Sequence, residues 1–280
     1  MEYLAPKTLT EALVLSRKWK ISGKLVAGGT KVIPEMRAKV IRPQVLVDLS
    51  HIKNLSFIKE KGRTIQIGAL TTISELASSE KIQKYAPILS DAANQFGNPL
   101  VRNRATIGGN LADGSPAADT AVPLLVLDAM IVTQSNLKMR KIPINQFFVG
   151  PHKTALQSNE IIREIVFTKA NPHAKMAYTK LGLRNAMAIS VVSIALSIEM
   201  KEGKCIEARI ALGAVAPKPI RAYQTEAFLK NKVITEEIIE SCCKHITKEI
   251  SPITDIRASA DYRRDMASAL LKRLIKQATG

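Results

Sequence analysis

The sequence predicts an α+β protein of two domains, and three observations predict it. The chain has 280 residues, too long for one small domain and short for three. The apolar pattern changes along it: short apolar runs alternate with capped helical segments in the first part, whereas long β-branched runs followed by helical periodicity fill the second. The pattern breaks at Asn171-Pro172-His173, which is the expected boundary between a domain of residues 1–170 and one of residues 171–280.

Taken in order, Thr8 and Glu11 have capping-box spacing ahead of "ALVLSRKW", a first helix. "KLVAGGT" reads as a short strand ending in a glycine pair and "QVLVDLS" as another, but the intervening "PEMRAKV" is short for a full crossover helix. "LSFIKEKGRTIQIGA" reads as a hairpin about Lys61-Gly62. Thr72 and Glu75 form a second capping box, and "APILSDAANQF" is a helix closed by Gly97. "DTAVPLLVLDA" is apolar nearly all round and is expected to be a buried helix. "MIVTQSNLKMRKIPI" is a second hairpin and "IIREIVFT" a strand. Beyond the break, "AISVVSIALSIEM" and "IEARIALGAV" are expected to pair as antiparallel neighbours joined at Gly203, with Pro217–Pro219 ending them. "TEEIIESCCKHITKEI" and "SADYRRDMASALLKRLIKQA" carry helical spacing.

Composition narrows the function. Hydrophobic residues make up 46% and charged residues 23%, an ordinary globular balance with a real core. There is no apolar run of about 18 residues to span a membrane, and "MEYLAPKTLTEA" lacks the basic-then-apolar order of a signal peptide, so a cytoplasmic protein is expected. Cys205, Cys242 and Cys243, with four dispersed histidines, do not supply the ligands of a zinc site or an iron–sulfur cluster. They read as small core fillers or surface thiols. The net charge of +17 favours acidic partners, whether nucleic acid, a phosphate-rich cofactor or an acidic protein. Its lysines and arginines are spread along the chain, however, and aromatics are only 4%, poor provision for stacking bases.

Two stretches carry the chemistry, "VAGGTKVI" at Val26–Ile33 and "TIGGN" at Thr106–Asn110. Glycine tolerates positive φ and lets backbone approach a ligand, and successive N–H groups in such a turn make a nest for an anion. Thr30 and Thr106 add hydroxyls, Asn110 an amide, and Arg102 and Arg104 are cations that can add charge or face solvent. Neither stretch is the GxGxxG of a dinucleotide fold or a P-loop; either pair alone reads first as a turn, and the two together read equally as turns or as a ligand cradle. Asp119 reads as a helix N-cap or an acceptor for a sugar hydroxyl, and Lys180 as a solvated strand lysine or a ligand to phosphate or flavin.

In combination these residues resemble a known family. "AGGT", "ATIGGN" and "SPAAD", followed by "YTKLGLRNAMAISVVSIAL", "ARIALGAVAPKPIRA" and "DIRASADYRRDMASALLKR", resemble in order the FAD-binding medium subunits of the molybdenum hydroxylases, the xanthine dehydrogenase and carbon monoxide dehydrogenase group. The resemblance implies a two-lobed FAD-binding domain of the vanillyl-alcohol oxidase and p-cresol methylhydroxylase type. It implies a carbon monoxide dehydrogenase flavoprotein C-terminal domain, a small antiparallel sheet plus helices, behind it. Position by position, it implies that Val26, Ala27, Gly28, Gly29, Thr30, Lys31, Val32 and Ile33, with Thr106, Ile107, Gly108, Gly109 and Asn110, wrap the FAD diphosphate through backbone amides. Phe96 falls where the family has an aromatic against the flavin. Asp119 falls at a polar contact, Ile162 at a backbone contact, and Lys180 at a hydrogen bond to the cofactor. Many members carry Asp where this chain has Lys31. None of His51, His152, His173 and His245 lies in either glycine loop, so the FAD is expected to be non-covalent.

The implied activity is that of an electron-transfer subunit with no acid–base or metal residue of its own. A molybdenum-cofactor large subunit and a 2Fe–2S small subunit would supply electrons, and NAD or another acceptor would take them. Two other readings stand beside it. A self-contained flavin oxidoreductase of the same superfamily would turn over a substrate alone. A basic nucleic-acid binder would be colourless, with steeply salt-dependent binding.

Overall fold

The structure, a computed structural model, describes residues 1–279. Gly280, the last residue of the expected second domain, lies outside the described residues. The N-terminal lobe comprises β1 (Glu2–Leu4), α1 (Leu9–Lys18), β2 (Gly23–Val26), α2 (Val32–Arg37) and β3 (Val45–Asp48). Its parallel sheet has the order β1-β3-β2. The Thr8/Glu11 capping box is formed, and α1 lays Ala12 and Leu13 on Val45 and Val47 of β3. The crossover from β2 to β3 is the single short helix α2. Strands of four residues need little return length, and residues 38–44 complete it.

The next lobe comprises β4 (Ile58–Lys61), β5 (Thr64–Gly68), α3 (Ile73–Ser78), α4 (Glu80–Tyr85), α5 (Pro87–Asn94), α6 (Pro99–Arg102), α7 (Ile107–Ala112) and α8 (Ala121–Val126). It continues through β6 (Met130–Gln134), β7 (Met139–Pro143), α9 (Ile144–Phe147), β8 (Phe148–Gly150), β9 (Lys153–Thr154) and β10 (Ile161–Thr168). Five strands form a sheet in the order β4-β5-β10-β6-β7. Both expected hairpins are present, the first turning at Gly62 with φ +56°. The Thr72/Glu75 capping box is also formed. α5 ends at Asn94, short of Gly97, whose φ of +49° turns the chain only after an intervening Gln95 and Phe96. Every residue of α8 is buried, and Pro123 is tolerated because it lies in the first turn, where N–H groups have no intrahelical partner.

The C-terminal part comprises β11 (Lys175–Leu181), β12 (Val192–Lys201), β13 (Lys204–Gly213), β14 (Ile220–Arg221), α10 (Tyr223–Leu229), α11 (Glu236–Glu249) and α12 (Ala260–Thr279). Its four strands pair antiparallel in chain order, with Gly203 (φ +76°) in the β12–β13 turn. The two faces of this sheet differ in side-chain size. Ile194, Leu196, Ile198, Ile210 and Leu212 pack with α11 and α12 in one core. On the opposite face Ala195 and Ala211, with Tyr178, join the core of the five-stranded lobe. Successive strand residues point to opposite faces, so β12 is buried on both from Val192 to Ile198. A Cβ on Gly213 would lie 2.8 Å from Val122 of α8. Small residues therefore let α8 sit directly on this sheet, and that contact places Asp119, just before α8, opposite Lys180 of β11.

Candidate functional site

The two glycine loops touch. A Cβ on Gly28 would lie 1.6 Å from the carbonyl oxygen of Arg104, so only glycine lets the first loop rest on the chain leading into the second. Gly29 adopts φ +73°, a conformation that costs a side chain about 1–2 kcal/mol. The N–H groups of Gly28, Gly29, Thr30 and Lys31 have no acceptor among the described residues. All four residues are at least partly exposed. Four consecutive backbone donors left open at the surface suit an anion with several oxygens.

The second loop is different, although its composition matches. Thr106 is the N-cap of α7, and its hydroxyl accepts from the Gly109 N–H at 3.1 Å. The N–H groups of Ile107, Gly108 and Asn110 donate to Thr71, Ala69 and Thr106 carbonyls at 3.0, 2.9 and 2.9 Å. Of the five residues only Thr106 keeps an unengaged N–H. Gly108 is required by packing, since its Cβ would meet Ala69 at 2.7 Å. Both loops are expected to offer backbone amides; the open donors lie in the first, whereas most of those in the second have partners within the chain, and the exposed Gly109 presents a close, side-chain-free wall.

Beyond the wall runs a polar chain. The Asn110 Oδ1 accepts from the N–H and the hydroxyl of Thr120, at 3.2 and 2.6 Å. Next to it Asp119 is not the N-cap; that position is Thr120's. The Asp119 carboxylate instead pairs with Lys180 Nζ at 2.7 Å and accepts from the Ser190 hydroxyl at 2.8 Å. Lys180, far from solvated, keeps only 6% of its side chain exposed. It also donates to the carbonyl of Gln95 at 3.4 Å, beside the half-buried Phe96. Burial pushes the Asp119 carboxyl above its ordinary value, opposed by Lys180 and Ser190. The deeply buried Tyr178 phenol is raised well above its own, by burial and then by Asp119.

The remaining expected residues also have partners within the chain. Arg102 turns inward and donates to the Asn94 and Phe96 carbonyls, both at 3.1 Å, closing the end of α5. Lys31 pairs with Asp113, the residue capping the C-terminus of α7, at 2.5 Å. His152 Nδ1 lies 3.4 Å from the same ammonium, so a histidine outside both loops in sequence reaches the first one in space. Ile162 is buried opposite Thr133, next to a bulge. The bulged Arg163 carbonyl accepts from Ala69, the residue on which Gly108 packs. Sequence reasoning missed Ser190, Asp113 and His152. No local pattern marks them, because each acts across more than thirty residues of chain. The three cysteines are free and buried. Among the described residues no cluster of His, Cys, Asp and Glu is placed to hold a metal, and no helix is long and apolar enough to cross a membrane.

Comparison with known proteins shows the family of the chain. Residues 1–168 match the family described as FAD binding domain in molybdopterin dehydrogenase, and residues 177–278 match the CO dehydrogenase flavoprotein C-terminal domain. The chain belongs to the FAD-binding subunits of the molybdenum hydroxylases. It is 33% identical to the carbon monoxide dehydrogenase medium chain of Hydrogenophaga pseudoflava, covering 99% of this chain and 96% of that one. It is 31% identical to the nicotinate dehydrogenase FAD-subunit of Eubacterium barkeri, over 98% and 94%. A solved carbon monoxide dehydrogenase from Hydrogenophaga pseudoflava superposes with a TM-score of 0.96 at 34% identity, over 99% of this chain and 96% of that one. Quinoline 2-oxidoreductase from Pseudomonas putida 86 does so with 0.95 at 27%, over 100% and 96%. This FAD-binding subunit is thus an oxidoreductase component, with a two-lobed flavin domain followed by the C-terminal domain of its family. Its residues fit the cofactor: open N–H donors match a diphosphate, and a buried carboxylate–ammonium pair offers acceptor and donor to polar groups beside Phe96.

Proposed function

We propose that this chain is the electron outlet of a three-subunit molybdenum hydroxylase. It takes electrons from the clusters of a 2Fe–2S small subunit, fed by a molybdenum-cofactor large subunit, and passes them to NAD or another acceptor. When bound, FAD supplies a redox centre able to collect electrons and release them as a pair. The chain's own task is binding and orientation. The N–H groups of Gly28–Lys31 hold the diphosphate, flanked by Val26, Ala27, Val32 and Ile33. Thr106–Asn110 forms the wall behind it. Phe96 lies against the ring system, Asp119 and Lys180 orient polar atoms, and Ile162 offers backbone. The flavin domain spans residues 1–170 and the second domain 171–280. A cytoplasmic location belongs to the same reading, supported by three cysteines that are all free.

The observation that carries this reading is the row of four open donors at Gly28–Lys31. The purified protein is expected to show flavin absorption at about 370 and 450 nm, with FAD released by acid. Gly28→Ala, which forces the loops apart, is expected to abolish FAD retention. Gly109→Ala, whose Cβ would meet only its own cap hydroxyl at 2.9 Å, is expected to weaken it modestly. Mixing the dithionite-reduced protein with NAD, then with a quinone or dye, should restore the flavin bands with whichever is the acceptor. A protein that holds no FAD, or one equally indifferent to both glycine changes, would sink the assignment.

A further inference from the structure

We infer that Lys31 and Asp113 form a clasp that shapes the first loop for FAD, so that Asp113 is a positioning residue and the Lys31 ammonium, unlike its backbone N–H, is not a phosphate ligand. The inference rests on the diphosphate cradle proposed above. The first loop is held to the second at two points. One is the contact of Gly28 with the Arg104 carbonyl, where no side chain fits. The other is the 2.5 Å ion pair from Lys31 to Asp113. The open N–H groups of Gly28–Lys31 lie between these anchors. Asp113 is itself fixed, as the C-cap of α7, whose N-terminal turn carries Gly108 and Gly109. Its carbonyl contacts His152 Nδ1 at 3.1 Å. The neighbouring Gly114 (φ +65°) accepts the His152 N–H at 2.9 Å, which seats the β8–β9 turn against the clasp. The Lys31 ammonium therefore has Asp113, the more distant Glu35 at 3.5 Å and His152 around it. A cation so surrounded already has its counter-charge and is directed along the wall rather than into the cradle.

The pair is partly open to solvent, with 43% and 21% of the two side chains exposed. Exposed pairs contribute little to global stability, so variants should fold. Its effect belongs to loop order and is read in FAD affinity. The test uses the protein purified with its native partner subunits and stripped of flavin, titrated with FAD at fixed pH and followed by fluorescence quenching. Lys31→Met and Asp113→Asn are each expected to weaken FAD binding roughly threefold to fivefold. The double variant should be no worse than either alone, and the exchanged pair, Lys31→Asp with Asp113→Lys, should recover most of the affinity. Tighter binding in Asp113→Asn with weaker binding in Lys31→Met would overturn the inference, because it makes Lys31 a direct ligand held back by Asp113. Additive losses, no recovery in the exchanged pair, or unchanged affinity throughout would also overturn it. Amide exchange over residues 27–33 separates this from the cradle itself. If FAD does not slow exchange there in the unmutated protein, the cradle is wrong. If it does while the variants bind normally, only the clasp is wrong.

Discussion

Burial and ion pairing pull Asp119 in opposite directions, and burial wins. Its carboxyl sits above the ordinary value of 3.8 because desolvation outweighs the pull of Lys180 and Ser190. A carboxyl raised in the folded state holds its proton more firmly there than in the unfolded chain. Its contribution to stability is therefore complete below about pH 3.8 and falls as pH rises through the native value. Lys180→Met removes the principal opposing charge and leaves a carboxylate buried alone. The variant is expected to lose about 3 kcal/mol at pH 7. The deficit should shrink as the pH is lowered and Asp119 takes up a proton, and urea melts at pH 7 and at a more acidic pH check this. A deficit independent of pH would place the defect in packing instead. At this scale the sequence is informative only in part. Gly28-Gly29 and Gly108-Gly109 look alike as letters, yet one loop leaves its donors open and the other engages them. The difference lies in Thr71 and Ala69, whose carbonyls take the second loop's N–H groups. Partners contributed from forty residues away leave no trace in a local motif.

The working element is β12, a wall shared by two cores. Its large residues face the C-terminal helices and its small ones face α8. Ala195→Leu would force extra methylenes into the seam beneath α8, at a cost of about 1–3 kcal/mol. It would also push α8, and Asp119 before it, away from Lys180. A lowered melting temperature together with weaker FAD binding is expected. A variant that melts earlier yet binds FAD normally would uncouple the seam from the site. The elements themselves were largely legible, for a physical reason. Both capping boxes, both hairpins and the β12–β13 pair depend on residues within a few positions of each other. What was not legible depends on distant packing: the early end of α5, the adequacy of a six-residue crossover helix, and which face of β12 meets which core.

At the scale of the whole molecule, the core of the five-stranded lobe and the core of the C-terminal helices meet across β12. Asn171, Pro172 and His173 are all exposed, so this segment is open to limited proteolysis. Yet Tyr178, Ala195 and Ala211, from beyond it, complete the core before it. A chain nicked there is expected to run as one species on gel filtration and to separate only in denaturant. Fragments that part in native buffer would show the seam to be weaker than its burial implies. The positive net charge of +17 has no single focus in the site, where Lys31 and Lys180 are both neutralised by carboxylates. The same shared wall has a consequence for biosynthesis. A ribosome delivers Asp119 well before Lys180, and at about 5–20 residues per second the nascent chain spends some seconds with that carboxylate lacking its counter-ion. The residues before the boundary, although they include both glycine loops, emerge with an unfinished core whose missing side chains run as far as Ala211. The loops are translated early, but the Asp119–Lys180 pair and the core around α8 can be completed only after most of the chain has been made. Truncation beyond the flavin lobes would thus yield not a smaller flavoprotein but one that never finished its cofactor site.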